Sequence, residues 1–118
     1  MRGRGRPTKL NKRVQEHIVK MIKLGNYLET AAAFAGLDVS TVRRWINRGK
    51  AELERLEVDN VREIREREQI YVEFAQQVEH ALAVAEVKDV QVIYNAAKND
   101  YRAAVWRLER RFTGNWVI

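Results

Sequence analysis

The polar and charged residues between positions 40 and 50 are predicted to share the outer side of a helix. At 100° per residue, the apolar residues Val42, Trp45 and Ile46 cluster on one face, and polar side chains occupy the other. Guanidinium groups suit guanine edges, an amide suits adenine edges, and hydroxyl or further cationic groups suit phosphates. This pattern predicts a surface that contacts duplex DNA. Its members are Ser40, Thr41, Arg43, Arg44, Asn47, Arg48 and Lys50.

Two shorter helices are predicted to position this one. The first follows Asn11, a plausible N-cap, and ends at Gly25; the second covers "LETAAAFA" and stops at Gly36. The stretch "ETAAAFAGLDVSTVRRWI" resembles the helix-turn-helix of DNA-binding proteins, because small alanines let two helices cross closely and Gly36 supplies the turn. The alternative is a solvated cationic helix on an ordinary small α-helical domain.

The first ten residues, "MRGRGRPTKL", form a basic arm with nothing apolar to bury. Its centre, Arg4-Gly5-Arg6-Pro7, resembles the AT-hook, which lies in the narrow minor groove of A·T-rich DNA. The arm and the segments that follow it also look like the DNA-binding end of DNA invertases. We therefore expect Arg4, Arg6 and Lys9 to contact DNA, the alternative being a disordered, solvated terminus.

Charge is divided unevenly along the 118 residues. Residues 1–50 hold twelve Lys and Arg against three acids, whereas residues 51–100 hold six against twelve. A binder of polyanions is therefore expected in the N-terminal half, and a different role in the acidic middle. With no cysteine, the chain has neither a disulfide nor a thiolate metal site. It also has no apolar run long enough to span a membrane and no apolar signal segment.

The second half predicts a helical hairpin that associates with other copies. After a charged connector at 51–60, Asn60 and Glu63 can form a capping box, and nothing breaks a helix from there to Lys98. A last helix follows, capped by Asn99 or Asp100, and its apolar face, which begins with Tyr101, is expected to pack back on the long helix. The apolar surface left over favours self-association, although the N-terminal helices could cover it instead. Candidate association residues are Val84, Val87, Val90, Tyr94 and Trp106.

The order of a "GRPTK" arm, a helix-turn-helix, a charged connector and "HALAVAEVKDVQVIYNAAKNDYRAAVWRLERRFTGNW" resembles the small terminase subunits of tailed bacteriophages. This resemblance implies a non-catalytic protein in the host cytoplasm that recognises viral DNA and forms a homo-oligomeric ring of about eight to ten subunits. It further implies a large terminase subunit, carrying ATPase and nuclease, as partner. The resemblance leaves open whether Thr113 to Ile118 contact that subunit, and whether DNA wraps around the ring or threads it.

The expected fold is therefore all-α: a helix-turn-helix three-helix unit followed by a long antiparallel helical hairpin. The expected segments are an arm at 1–10, a DNA-binding domain at 11–50, a connector at 51–60, an oligomerisation domain at 61–112 and a tail at 113–118. Neither a phosphate-binding loop nor a cluster of metal-binding or nucleophilic residues is found, so we expect no enzyme, cofactor or metal. The alternative function is a dimeric transcriptional regulator or recombinase-like DNA-binding protein.

Overall fold

A computed structural model describes residues 10–111, which form helices joined by short turns and contain no strand. The prediction of an all-α fold is therefore confirmed for this part of the chain. The DNA contacts expected at Arg4, Arg6 and Lys9 and the tail at 113–118 lie outside the described residues. The helices are α1 (Lys12–Lys23), α2 (Leu28–Phe34), α3 (Val39–Val58), α4 (Gln69–Ala97) and α5 (Tyr101–Arg111), with a 3₁₀ turn at Glu66–Glu68.

The first two helices begin and end as the sequence predicts. The Asn11 side chain accepts a hydrogen bond from the backbone N–H of Val14 at 2.9 Å, which caps α1. Gly25 follows α1 with a φ of 104°, and Gly36 follows α2 with a φ of 76°. Both values lie in the left-handed region that favours glycine. A Cβ at Gly36 would meet nothing within 4 Å, so the conformation, not the space, calls for glycine there.

The third helix extends beyond the residues that were predicted to bind DNA. The Asp38 carboxylate caps it by accepting from the backbone N–H and the hydroxyl of Ser40, at 2.9 and 2.8 Å. α3 then continues through Gly49 to Val58, so most of the stretch predicted as a charged connector is helical.

The prediction of a helix starting at Val61 was wrong. Asn60 takes a left-handed φ of 53°, so it cannot form a capping box with Glu63. Residues 61–65 are not helical, and α4 begins only at Gln69. The physical reason is tertiary: the buried carboxylate of Glu52 on α3 accepts the backbone N–H of Arg65 at 2.9 Å. That bond holds the segment outside a helix.

By their internal contacts, the described residues divide into a first unit at 10–83 and a second at 84–111. The first unit contains the core. Within it, the rings of Trp45 on α3 and Phe74 on α4 meet edge to face at 6.2 Å between centroids. The clustered buried residues are Leu10, Ile18, Val19, Ile22, Ala31, Ala32, Val42, Trp45, Ile46, Tyr71, Phe74, Ala75, Val78 and Ala81.

The second unit consists of the C-terminal part of α4 and of α5. Asp100 accepts from the backbone N–H of Arg102 at 3.0 Å, which agrees with the predicted cap of the last helix. Tyr101 was expected on the face that packs back, but it is 75% exposed. None of the residues at 84–111 is buried. A groove of about 280 Å³ is lined by Val90, Ile93, Tyr94, Ala97, Ala104, Arg107 and Leu108.

Candidate nucleic-acid interface

The candidate interface is the side of α3 opposite its buried residues. Val42, Trp45, Ile46 and Gly49 face the core. Most of the residues predicted to bind DNA are exposed, and Thr41 is half-buried. The exposed ones are Ser40, Arg43, Arg44, Asn47, Arg48 and Lys50. The structure therefore brings these residues together on one helix, but their side chains have different partners.

Arg44 lies near the middle of this outer face. Its Nη2 donates to the Thr41 hydroxyl, one turn earlier on the same helix, at 3.2 Å. The Asp38 carboxylate attracts Arg44 electrostatically, but the hydrogen bond goes to a neutral hydroxyl, so the guanidinium can still turn to a base edge or a phosphate. Asn47 follows three residues later and is also exposed. This pair carries the chemistry suited to reading guanine and adenine.

The N-terminal end of α3 is less suited to phosphate. Ser40 donates both its backbone N–H and its hydroxyl to Asp38. These two bonds, first the backbone and then the hydroxyl, lower the pKa of Asp38 below its usual value. The carboxylate is therefore ionised at neutral pH and places a negative charge beside Ser40.

Arg43 makes an ion pair with an acid on another helix. Its Nη2 donates to Glu29 Oε2 on α2 at 2.7 Å, and the two side chains are 52% and 60% exposed. The pKa of Glu29 is lowered, first by a backbone hydrogen bond and then by the Arg43 guanidinium. This pair could not be predicted from the sequence, because Glu29 and Arg43 are 14 residues apart with no periodic relation.

Arg48 makes a stronger pair. Its Nε and Nη2 donate to the two carboxylate oxygens of Glu68 at 2.7 and 2.9 Å, in a bidentate arrangement. Its guanidinium also stacks 4.1 Å from the ring centroid of Tyr71. Glu68 is buried, and the hydrogen bonds from Arg48 lower its pKa. The charge of Arg48 is therefore neutralised where α3 meets the start of α4.

A groove of about 280 Å³ runs along the other flank of the outer face. Arg43, Asn47 and Lys50 contribute its polar part. The apolar residues lining it come from four helices: Ile22, Leu28, Ile46, Val78 and Leu82. The polar side chains of α3 thus border an apolar surface that the helical pattern of α3 alone could not reveal.

The end of α3 is held by a buried carboxylate that sequence reasoning missed. Glu52 is 1% exposed and accepts hydrogen bonds from the guanidinium groups of Arg55 and Arg65 and from the Arg65 backbone. These bonds, those from Arg55 first, hold the pKa of Glu52 far below its usual range. Arg55 also donates to the carbonyl oxygen of Glu63 at 3.2 Å. This cluster positions the segment between α3 and α4.

The candidate association residues show partial exposure within the second unit. Val84 and Val90 are half-buried, whereas Val87 is 65% exposed. Tyr94 is 60% exposed, with the Lys98 ammonium 5.2 Å from its ring centroid. The Arg110 guanidinium lies 4.8 Å from the ring centroid of Trp106. Apolar surface therefore remains open to solvent on both α4 and α5.

Two other features, a metal site and a membrane-spanning helix, can be checked in the part of the chain that the structure describes. Between residues 10 and 111, no three His, Asp or Glu side chains lie together where they could hold a metal ion. Over the same residues, no helix combines the length and apolar character needed to cross a membrane. No family model, curated protein or solved structure matches the chain. Any functional assignment therefore depends on the geometry of α3 and its neighbours.

Proposed function

We propose that this protein binds duplex DNA through the outer face of α3 and serves as the DNA-recognition component of a viral genome-packaging machine, in the manner of a small terminase subunit. The observation that carries the DNA-binding part is the exposed face with Arg44 and Asn47 at its centre. A guanidinium and an amide three residues apart on an exposed helix can reach neighbouring base edges in a major groove.

The surrounding helices support a helix-turn-helix for residues 28–50. Ala31 and Ala32 are fully buried, which lets α2 approach its neighbours closely. Gly36 provides the left-handed residue between α2 and α3, and Asp38 caps the second of the two helices. A unit of this kind places its second helix in the major groove of DNA, and its first helix crosses the DNA backbone.

The second unit supports an antiparallel hairpin that self-associates. Arg111 near the end of α5 lies 3.8 Å from Glu86 on α4, as expected if α5 runs back along α4. The exposed Val87 and Tyr94 are seven residues apart and share one side of α4. We propose that this apolar side contacts further copies, which close into a ring, and that the ring delivers DNA to a large catalytic subunit. Multivalent display would then compensate for weak binding by each unit.

The test of DNA binding compares two arginine variants of the full chain. Arg44→Ala should cost about 1–3 kcal/mol on a duplex chosen by selection from a random pool, and much less on unrelated duplexes. Arg62→Ala, which removes the same charge from an exposed site outside α3, is the matched control. Equal losses for the two variants on all duplexes would refute the assignment of Arg44 to base recognition.

Mass measurement in solution tests the assembly. A ring of many subunits supports the packaging function. A dimer would favour the alternative, a transcriptional regulator, without affecting the DNA-binding proposal.

A further inference from the structure

Among the cations of α3 that were predicted to bind DNA, Arg43 and Arg48 are paired with acids, and the two pairs differ in kind. Glu68 holds Arg48 in a bidentate pair, and the Glu68 side chain is only 9% exposed. Glu29 holds Arg43 through a single guanidinium nitrogen, and both side chains are more than half exposed. Opening the Arg48–Glu68 pair would leave a buried carboxylate without its bidentate partner, which is costly even though Arg48 itself is 46% exposed, whereas a pair exposed on both sides is weak and screened by salt. Glu68 therefore holds Arg48 in place, whereas Arg43 can exchange Glu29 for another hydrogen-bond acceptor.

We propose that Glu29 limits the sequence-independent affinity of the protein for DNA by competing with phosphate for Arg43. This inference rests on the proposed function and assigns to α2 a residue that weakens binding. The guanidinium of Arg43 can bind either the Glu29 carboxylate or a DNA phosphate, and the two acceptors offer it similar charge-assisted hydrogen bonds. While Glu29 holds it, the protein neutralises one phosphate fewer.

The geometry makes Arg43 the cation on which this competition acts. Arg43 borders the same groove as Asn47 and Lys50, so it belongs to the outer face of α3 rather than to the core. Lys50 lies seven residues further along α3, two helical turns away, on the same side. Removing the Glu29 charge therefore adds Arg43 to a cationic surface that already exists. A lower affinity for arbitrary DNA leaves a larger share of the binding to base contacts by Arg44.

The experiment measures binding of the full chain to a short duplex of arbitrary sequence as salt is raised from about 50 to 200 mM. Glu29→Gln should tighten binding about three- to tenfold at the lowest salt and steepen the plot of log K against log salt by about 0.9, the value for one additional phosphate contact. Glu79→Gln removes the same charge from an exposed position on α4 and should leave the slope unchanged. Circular dichroism checks helix content, and Glu29→Ala replaces Glu29→Gln if that variant loses it.

The decisive comparison repeats Glu29→Gln in a chain that carries Arg43→Gln. If Glu29 acts through Arg43, the steeper slope should disappear in the double variant. The inference would be overturned if Glu29→Gln alone kept the wild-type slope. It would also be overturned if Glu29→Gln steepened the slope equally in the Arg43→Gln chain, because the effect would then be general repulsion between the Glu29 charge and DNA. If the wild-type chain binds no duplex at any salt, the proposed function itself fails. If the wild-type chain binds DNA and Glu29→Gln has the same slope as wild type, only this inference is refuted.

Discussion

Replacing Gly49 with alanine should destabilise the protein, although glycine is a poor helix former. Gly49 lies in the interior of α3 and is buried where the backbone of α4 passes against it. A Cβ at this position would lie 2.1 Å from the carbonyl oxygen of Tyr71, 2.7 Å from its carbonyl carbon and 2.9 Å from the Cβ of Ala75. Two of these atoms are backbone, so no side-chain rotation can remove the overlap. The helices themselves would have to separate by about 1 Å.

Two opposing effects decide the magnitude. Alanine is favoured over glycine inside a helix by about 1 kcal/mol. Forcing extra volume into a packed core typically costs about 1–3 kcal/mol and occasionally more. Separation of α3 from α4 would also disturb the Trp45–Phe74 ring contact and the stacking of Arg48 on Tyr71. Because the overlap involves backbone atoms, we place the packing cost near the upper end of that range, at about 3 kcal/mol. Subtracting the gain of about 1 kcal/mol in helix propensity leaves an expected net loss of about 2 kcal/mol in the free energy of unfolding.

Urea unfolding of the full chain, followed by circular dichroism, measures this change. Ala51→Gly, at an exposed position two residues further along α3, provides the control and should cost about 1 kcal/mol through helix propensity alone. Gly49→Ala adds a Cβ and Ala51→Gly removes one, yet both variants should lower the free energy of unfolding. If Gly49→Ala instead gains what Ala51→Gly loses, α4 does not contact α3 at this glycine, and the reasoning is refuted.

Three further predictions concern the carboxylate cluster and the exposed apolar surface. Glu52→Gln should lower the thermal midpoint much more than Glu54→Gln, an exposed change on the same helix; equal shifts would contradict the role of the cluster. Because the pKa of Glu52 is held below its ordinary value of 4.5, its stabilisation is complete above that pH and should decline as the pH falls further; a wild-type stability that stays flat from pH 5 down to about 2 would contradict this. Val87→Asp should reduce the mass of the assembly in solution without loss of helix content, whereas Val92→Asp, the same change at an equally exposed position on the opposite side of α4, should leave it unchanged; an unaltered mass for Val87→Asp would exclude the side with Val87 and Tyr94 from the association surface.

Local chemistry made the first part of the fold predictable. The Asn11 cap, the turn at Gly25 and the turn at Gly36 each depend on one residue and its immediate neighbours, and all three are present. The separation of α3 into an apolar and a polar face likewise follows from helical periodicity. Features determined within a few residues of chain are visible in the sequence itself.

Contacts between distant residues could not be predicted in this way. Nothing in the sequence indicates that Arg48 pairs with Glu68, 20 residues later, or that Arg65 reaches Glu52, 13 residues earlier. The run of charged helix formers after Asn60 favoured a helix, and tertiary hydrogen bonds overrode that preference. It was therefore possible to predict from the sequence which residues of the candidate site face outward. It was not possible to predict which of the cations among them are paired with acids.

The segment between α3 and α4 has a consequence for proteolysis. It carries Arg62, Arg65 and Arg67 on exposed chain outside an α-helix, which would ordinarily attract trypsin. A protease, however, must draw several residues into an extended strand in its own active site. Here that movement would remove Arg65 from the buried Glu52 and the Glu63 carbonyl from Arg55. Cleavage at these arginines is therefore governed by the opening of the first unit rather than by surface exposure.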